Sequence, residues 1–320
     1  VKLVRLAALG ARPRFVARAV SWLALLAGCS RPAAGPSADP RADAALAENA
    51  DPSETTYPLR ERDDLGRTVV VAAEPRRIVA LLPSHTETLF VLGVGDRVVG
   101  VDDYSDDPEP ATRLPKLGGL YDAHLEALLA LEPDLVLASE ASRAVLPLES
   151  AGLAVWAGSA RTFDDVFRVI ETIGRMVAQG GKARKLVRQM REQIEAIERR
   201  ARAGEHPTVY FELDATPYAA GASSFIGGLI ARAGGIDIVP PELGDFPKVN
   251  PEWVIAQDPE IIVGAPRDEL LARAGWGGLR AVRQRRVYTL SEEQRRTIVR
   301  PGPRLAEGLS AVASLLSAAP

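Results

Sequence analysis

Apolar and polar positions along this chain fall into two alternating patterns. The continuous apolar run at 77–82 (R-I-V-A-L-L) predicts a short strand buried on both faces, as in parallel sheets, and the segments 98–101, 135–138, 155–158, 208–213 and 286–290 predict further strands. A further run, 68–73 (T-V-V-V-A-A), follows the turn-like Asp64-Leu65-Gly66-Arg67 and predicts another strand. Between the runs, apolar residues at three- and four-residue steps predict helices over 84–92, 123–131, 163–178, 225–233 and 304–316, the last started by Pro301-Gly302-Pro303. Ser84 with Glu87, and Thr162 with Asp165, have the spacing of reciprocal N-terminal caps.

The longest helical pattern organises the rest. Ala183, Leu186, Val187, Met190, Ile194 and Ile197 mark one face of a helix over 182–203, with Gly180-Gly181 predicted to open it and Gly204 to close it. About 20 residues make a rod of roughly 30 Å, the width of a small domain. The segments on either side of it repeat one another. Leu125-Glu126-Ala-Leu-Leu-Ala-Leu-Glu-Pro133-Asp134-Leu-Val-Leu-Ala138 and Pro251-Glu252-Trp-Val-Ile-Ala-Gln-Asp-Pro259-Glu260-Ile-Ile-Val-Gly264 match at Glu, Ala and Pro with a constant offset of 126. The predicted fold class is therefore α/β, with two Rossmann-like lobes carrying parallel sheets and joined by a single long backbone helix. The lobes are expected over 57–160 and 205–320, with connecting helices over 161–204.

Composition changes the picture mainly at the N-terminus. Residues 1–28 hold five basic and no acidic residues, which leaves 34 basic against 42 acidic residues in the remainder, a net charge of −8. So acidic a body lacks the basic face that nucleic-acid binding needs. The basic start and the apolar run 19–27 are too short to span a bilayer and read as a signal peptide over 1–28. They end in Leu26-Ala27-Gly28-Cys29, a pattern like the bacterial lipobox, so Cys29, the chain's single cysteine, is the expected lipidation site. Residues 29–56, rich in Ala, Pro, Ser, Gly and Asp, read as a flexible tether. The expectation is an extracytoplasmic protein held at a membrane by its lipid.

Ligands of open α/β sheets sit beyond the carboxyl ends of the strands, and two such lobes can face each other across a cleft. The loops expected there supply Ser84, His85, Tyr104, Leu120, Tyr121, Tyr218, Ser223, Phe225 and Phe246, whose aromatic content suits a large, flat, partly apolar ligand. The competing reading is of loop aromatics that pack on their own lobe. His85 at a helix start could favour an anion, ligate a metal or simply be surface. His124 reads as exposed and His206 as linker. Glu126 and Glu252 hold matching positions near the starts of matching helices; acidic residues favour helix N-termini anyway, yet one per lobe would suit a two-fold partner. Enzyme signatures are missing: there is no GxGxxG after a strand, no GxxxxGK[ST], no HExxH and no GxSxG, and three scattered histidines form no zinc pattern. No catalytic residue, resident metal or intrinsic cofactor is assigned.

The segments R-I-V-A-L-L-P-S-H-T-E-T-L-F-V-L-G from Arg77, V-G-V-D-D-Y-S-D-D-P from Val99 and L-E-A-L-L-A-L-E-P-D-L-V from Leu125 resemble the solute-binding proteins of ABC importers for vitamin B12, haem and ferric siderophores. The resemblance runs from about Asp63 to the C-terminus. It implies two α/β lobes on one backbone helix, a single ligand in the cleft, a free monomer, and docking on a dimeric permease with its ATPase through one glutamate per lobe, here Glu126 and Glu252. Within the family the chain is most similar to cobalamin binders, since Tyr104 in Y-S-D-D-P matches a cobalamin-contacting tyrosine. Phe246 in D-F-P falls where a tryptophan is frequent. Leu120 departs from a stacking tryptophan, with Tyr121 adjacent, and His85 replaces a frequent asparagine. Haem, with Tyr104 or His85 as axial ligand, and a ferric siderophore remain alternatives. An anchored enzyme or a bare-metal binder using the same cleft stands further off.

Overall fold

The computed structural model describes residues 55–214 and 218–318. The signal segment, Cys29 and the tether through residue 54 lie outside the described residues. Two parallel sheets form the lobes. In the first, four strands lie in the order Val98–Val101, Ile78–Ala80, Leu135–Ala138, Val155–Ala157. Almost every residue in them is buried, as the continuous apolar runs require. In the second, Val287–Tyr288, Ile261–Val263 and Thr208–Asp214 are parallel neighbours, and Ile236–Asp237 adds a parallel pairing at the start of Thr208–Asp214. This sheet is not wholly parallel, however: Tyr218–Ala219 pairs antiparallel with the far end of Thr208–Asp214. The predicted strand at 68–73 is also placed differently. Thr68–Val71 pairs antiparallel with Leu59–Arg62 in a separate hairpin, and its alternating exposure shows why: only one of its faces is covered.

Thr162 and Asp165 form the reciprocal cap of Phe163–Met176, as their spacing predicts. A short link then leads into the long helix Gly180–Ala201, whose first two residues are the glycines that were expected to precede it. The two helices press closely, because a Cβ on Gly174 would lie 2.3 Å from the Cβ of Ala183. Ala183, Val187, Met190, Ile194 and Ile197 are buried in one apolar cluster that also takes in Ile78 and Leu137 of the first lobe and Val209, Ile261 and Leu309 of the second. The helix thus strings both lobes onto a continuous core, with each buried aliphatic side chain contributing about 1.5–3 kcal/mol.

The repeat is present in three dimensions. Leu125–Ala130 and Pro251–Gln257 are helices that each run through a left-handed residue, Glu132 at φ 44° and Asp258 at φ 45°, into a parallel strand. The next acidic residue then secures the start of its lobe's first strand. Asp134 accepts the amides of Arg76 and Arg77 at 2.7 and 3.0 Å, and Glu260 accepts that of Thr208 at 2.8 Å.

Candidate functional site

The carboxyl ends of the two sheets meet through loops. On the first lobe, Asp102 is buried and holds the loop after Val98–Val101 by accepting the Tyr104 amide at 2.8 Å and the Ser105 hydroxyl at 2.5 Å. Ser105 is itself buried against the Thr86 hydroxyl at 2.8 Å. Asp103 exchanges hydrogen bonds with Gly118, so the loops carrying Tyr104 and Tyr121 are tied together, and Tyr104 lies beside Gly119. Leu120 between them is half-buried. Arg143 covers the Tyr121 ring at 5.5 Å.

On the second lobe, backbone hydrogen bonds from Ala219 to Pro247 and from Gly221 to Asp245 fix the 244–248 loop. Gly221 lets that loop approach, since a Cβ there would lie 2.3 Å from the Gly244 carbonyl. The Ser223 hydroxyl donates to Asp245 at 2.7 Å. Tyr218, Ser223 and Phe246 are thereby gathered on one surface. Phe225 has another role: it starts the helix Phe225–Arg232, is half-buried, and packs on Phe163 at 5.9 Å.

Among the described residues, the aromatic side chains that count as exposed are Tyr104 (69%), Tyr121 (63%), Phe246 (53%) and Tyr218 (42%), two on each lobe and all on these loops.

His85 and Ser84 are placed otherwise than expected. Helix Pro83–Val91 begins with Pro83, its N-cap is Leu82, and no side chain caps it, so the Ser84–Glu87 box does not form. Ser84 instead meets Gly302 of the second lobe. His85 is fully buried against Trp156, ring centroids 5.8 Å apart, and neither nitrogen makes a hydrogen bond of good geometry. It presents no open edge to the cleft.

Three arginines that the sequence reading missed join the lobes next to Tyr104. Arg300 reaches Glu87 at 3.1 Å, Asp106 at 2.7 Å and the Tyr104 carbonyl at 3.0 Å. Arg296 also holds Asp106, at 2.9 Å, and Arg304 holds Asp107 at 2.9 Å. Burial pushes the Glu87 carboxyl up to about 7, against the pull of Arg300, whereas Arg300 and Arg296 hold that of Asp106 below its ordinary value despite its partial burial. The readable signal was arginine at every fourth position from 296 to 304, opposite the acidic 102–107 segment.

Glu126 and Glu252 lie on the outer faces of the repeated helices, both exposed, and neither carboxylate has an ion-pair partner among the described residues.

Comparison with known proteins agrees with this architecture. A family model described as periplasmic binding protein matches residues 78–294. An uncharacterized ABC transporter substrate-binding lipoprotein of Bacillus subtilis, YvrC, is 29% identical over 316 residues, covering 92% of this chain and 96% of its own. A cobalamin-binding protein of Halobacterium salinarum is 33% identical over 262 residues, covering 79% of this chain and 70% of its own. The solved periplasmic heme-binding protein RhuT from Roseiflexus sp. RS-1 superposes with a TM-score of 0.67 at 27% identity, covering 75% of this chain and 97% of its own.

Proposed function

The chain belongs to the periplasmic binding protein family, and from that membership we propose that it captures a corrinoid of the cobalamin type between its lobes for import. It is a binding protein and not an enzyme; it is the substrate-binding component of an ABC transporter, which implies a permease partner and a small-molecule ligand. The observation that carries the corrinoid reading is the set of four exposed rings, two per lobe. They offer flat apolar faces to a broad ring system, with Leu120 beside them and the Ser223–Asp245 pair as polar anchor. The interlobe arginines support the same reading. Arg296, Arg300 and Arg304 each face a carboxylate, so they are not free to bind the acid groups of haem or the anionic oxygens of a ferric siderophore. His85, being enclosed, is left out of the ligand set.

Capture needs no bond chemistry. The ligand is enclosed between rigid lobes whose core runs through one helix, so closure is small. The loaded protein then docks through Glu126 and Glu252 on arginines of a two-fold permease, and such unpaired surface carboxylates favour fast, register-specific encounter. A diacylglycerol on Cys29 would keep it at the membrane and raise its effective concentration there; the likeness to a lipoprotein supports this.

The test is a titration of the purified protein with cyanocobalamin, haem and a ferric hydroxamate, read by heat and absorbance. One-to-one binding of cyanocobalamin is expected, weakened about tenfold or more by Tyr104→Ala or Phe246→Ala. A Soret shift with haem that is lost in Tyr104→Phe, without cyanocobalamin binding, would instead make this a haem receptor.

A further inference from the structure

A cavity of about 640 Å³ lies at the far end of the long helix from the first lobe. Its walls include Arg200 of that helix, Glu205, Arg286, and Ser310, Ser314 and Leu316 of the C-terminal helix Leu305–Ser317. Glu205 and Arg286 precede the strands Thr208–Asp214 and Val287–Tyr288, so the cavity sits at the amino ends of the second sheet, opposite the cleft. None of the proposed cleft residues lines it.

Arg286 is what makes this cavity unusual. Its residue is only 8% exposed, yet it pairs with no carboxylate among the described residues. One nitrogen, Nη2, donates to the Leu316 carbonyl at 2.7 Å, and Nε is buried without a partner. Nη1 has no acceptor among the described residues either. Other largely enclosed arginines, Arg67, Arg97, Arg273 and Arg300, each hold an acid: Asp63, Glu74, Glu212 and Glu87 respectively. A guanidinium does not lose its proton, so its charge persists on burial and calls for a counter-charge. The C-terminal end of Leu305–Ser317 supplies one carbonyl and a favourable dipole. Arg200, exposed on the opposite wall, has no ion pair among the described residues, and Glu205 pairs with neither arginine. The Ser314 hydroxyl already donates to the Ser310 carbonyl, whereas that of Ser310 makes no hydrogen bond among the described residues.

We propose that this cavity is an anion site, distinct from the cleft, that takes a small carboxylate- or phosphate-bearing molecule on Arg286, with Arg200 and the Ser310 hydroxyl closing on it. Its volume is that of a site for a small organic anion rather than a bare ion. Binding ties the long helix to the C-terminal helix, so it reads out as thermal stabilisation as well as heat.

The experiment uses the full chain in detergent, titrated to millimolar citrate and, separately, inorganic phosphate, with sodium chloride at matched ionic strength as control. The expected result is a saturable rise in melting temperature with citrate or phosphate but not chloride; which of them acts identifies carboxylate or phosphate as the source. Arg200→Ala, an exposed change that leaves the fold intact, should weaken this binding about tenfold, the size of one charge-assisted contact. Arg286→Gln should abolish it, and Arg200→Ala should leave cyanocobalamin binding unchanged. No rise with either anion, or a rise equal in wild type and Arg200→Ala, would overturn the proposal.

Discussion

A fully enclosed imidazole without a good hydrogen bond is held neutral by its surroundings. Burial lowers the pKa of His85 to about 4 from 6.5, although the backbone of Leu137 and Gly158 nearby works the other way. The folded protein therefore binds fewer protons than the unfolded chain between those two values. The stability His85 confers is whole above about 6.5 and is lost as pH falls towards about 4, by about 3 kcal/mol in all. His85→Phe keeps the bulk beside Trp156 and removes the titration. The difference in unfolding free energy between wild type and variant, taken from urea curves, should shift by about 3 kcal/mol between about pH 7 and pH 4. A difference flat with pH would mean that His85 titrates normally. The sequence could not reveal this burial. His85 to Leu89 are five consecutive buried residues, enclosed on every side, so the helix shows no apolar stripe from which to read its inward face. By contrast, the exposure of Tyr104, Tyr121, Tyr218 and Phe246 was legible because turn residues and polar neighbours left them no core to join.

At the level of elements, periodicity served where one face of a helix is buried and failed where polar contacts decide position. Gly180–Ala201 and the matched Glu-to-Pro segments were legible from spacing alone. The helix Glu292–Val299 was missed although Ser291 and Gln294 form its reciprocal cap, because its sequence is too polar to display a stripe. That helix and the residues after it carry the three arginines that grip the first lobe. Arg300→Ala should leave the buried Glu87 carboxylate without its guanidinium, a loss of about 3–5 kcal/mol. Because burial already raises that carboxyl to about 7, it takes up a proton on acidification, so the loss should be smaller at about pH 6 than at about pH 8. Urea unfolding of the variant at both pH values checks this; equal losses would show that the ion pair to Glu87 contributes little. The Tyr104 loop, held by Arg300 through its carbonyl, should loosen too, so cyanocobalamin affinity should fall alongside stability.

For the whole molecule, the proposed partner meets two helices of the same build on separate lobes. Glu126→Arg with Glu252→Arg should abolish transport in cells while leaving the affinity of the purified protein for ligand within about twofold, since neither carboxylate has an ion pair among the described residues. Affinity that collapsed together with transport would make these residues part of the ligand site or the fold. The repeat has one more consequence. Each glutamate rides on a helix that leads directly into its own lobe's sheet, and Asp134 and Glu260 lock that junction to the lobe's first strand. The span between Glu126 and Glu252 is therefore fixed by the angle between the lobes, and any closure on a ligand moves them like the tips of a caliper. A permease whose two arginines are set to one opening of that caliper can tell a loaded binding protein from an empty one without touching the cargo.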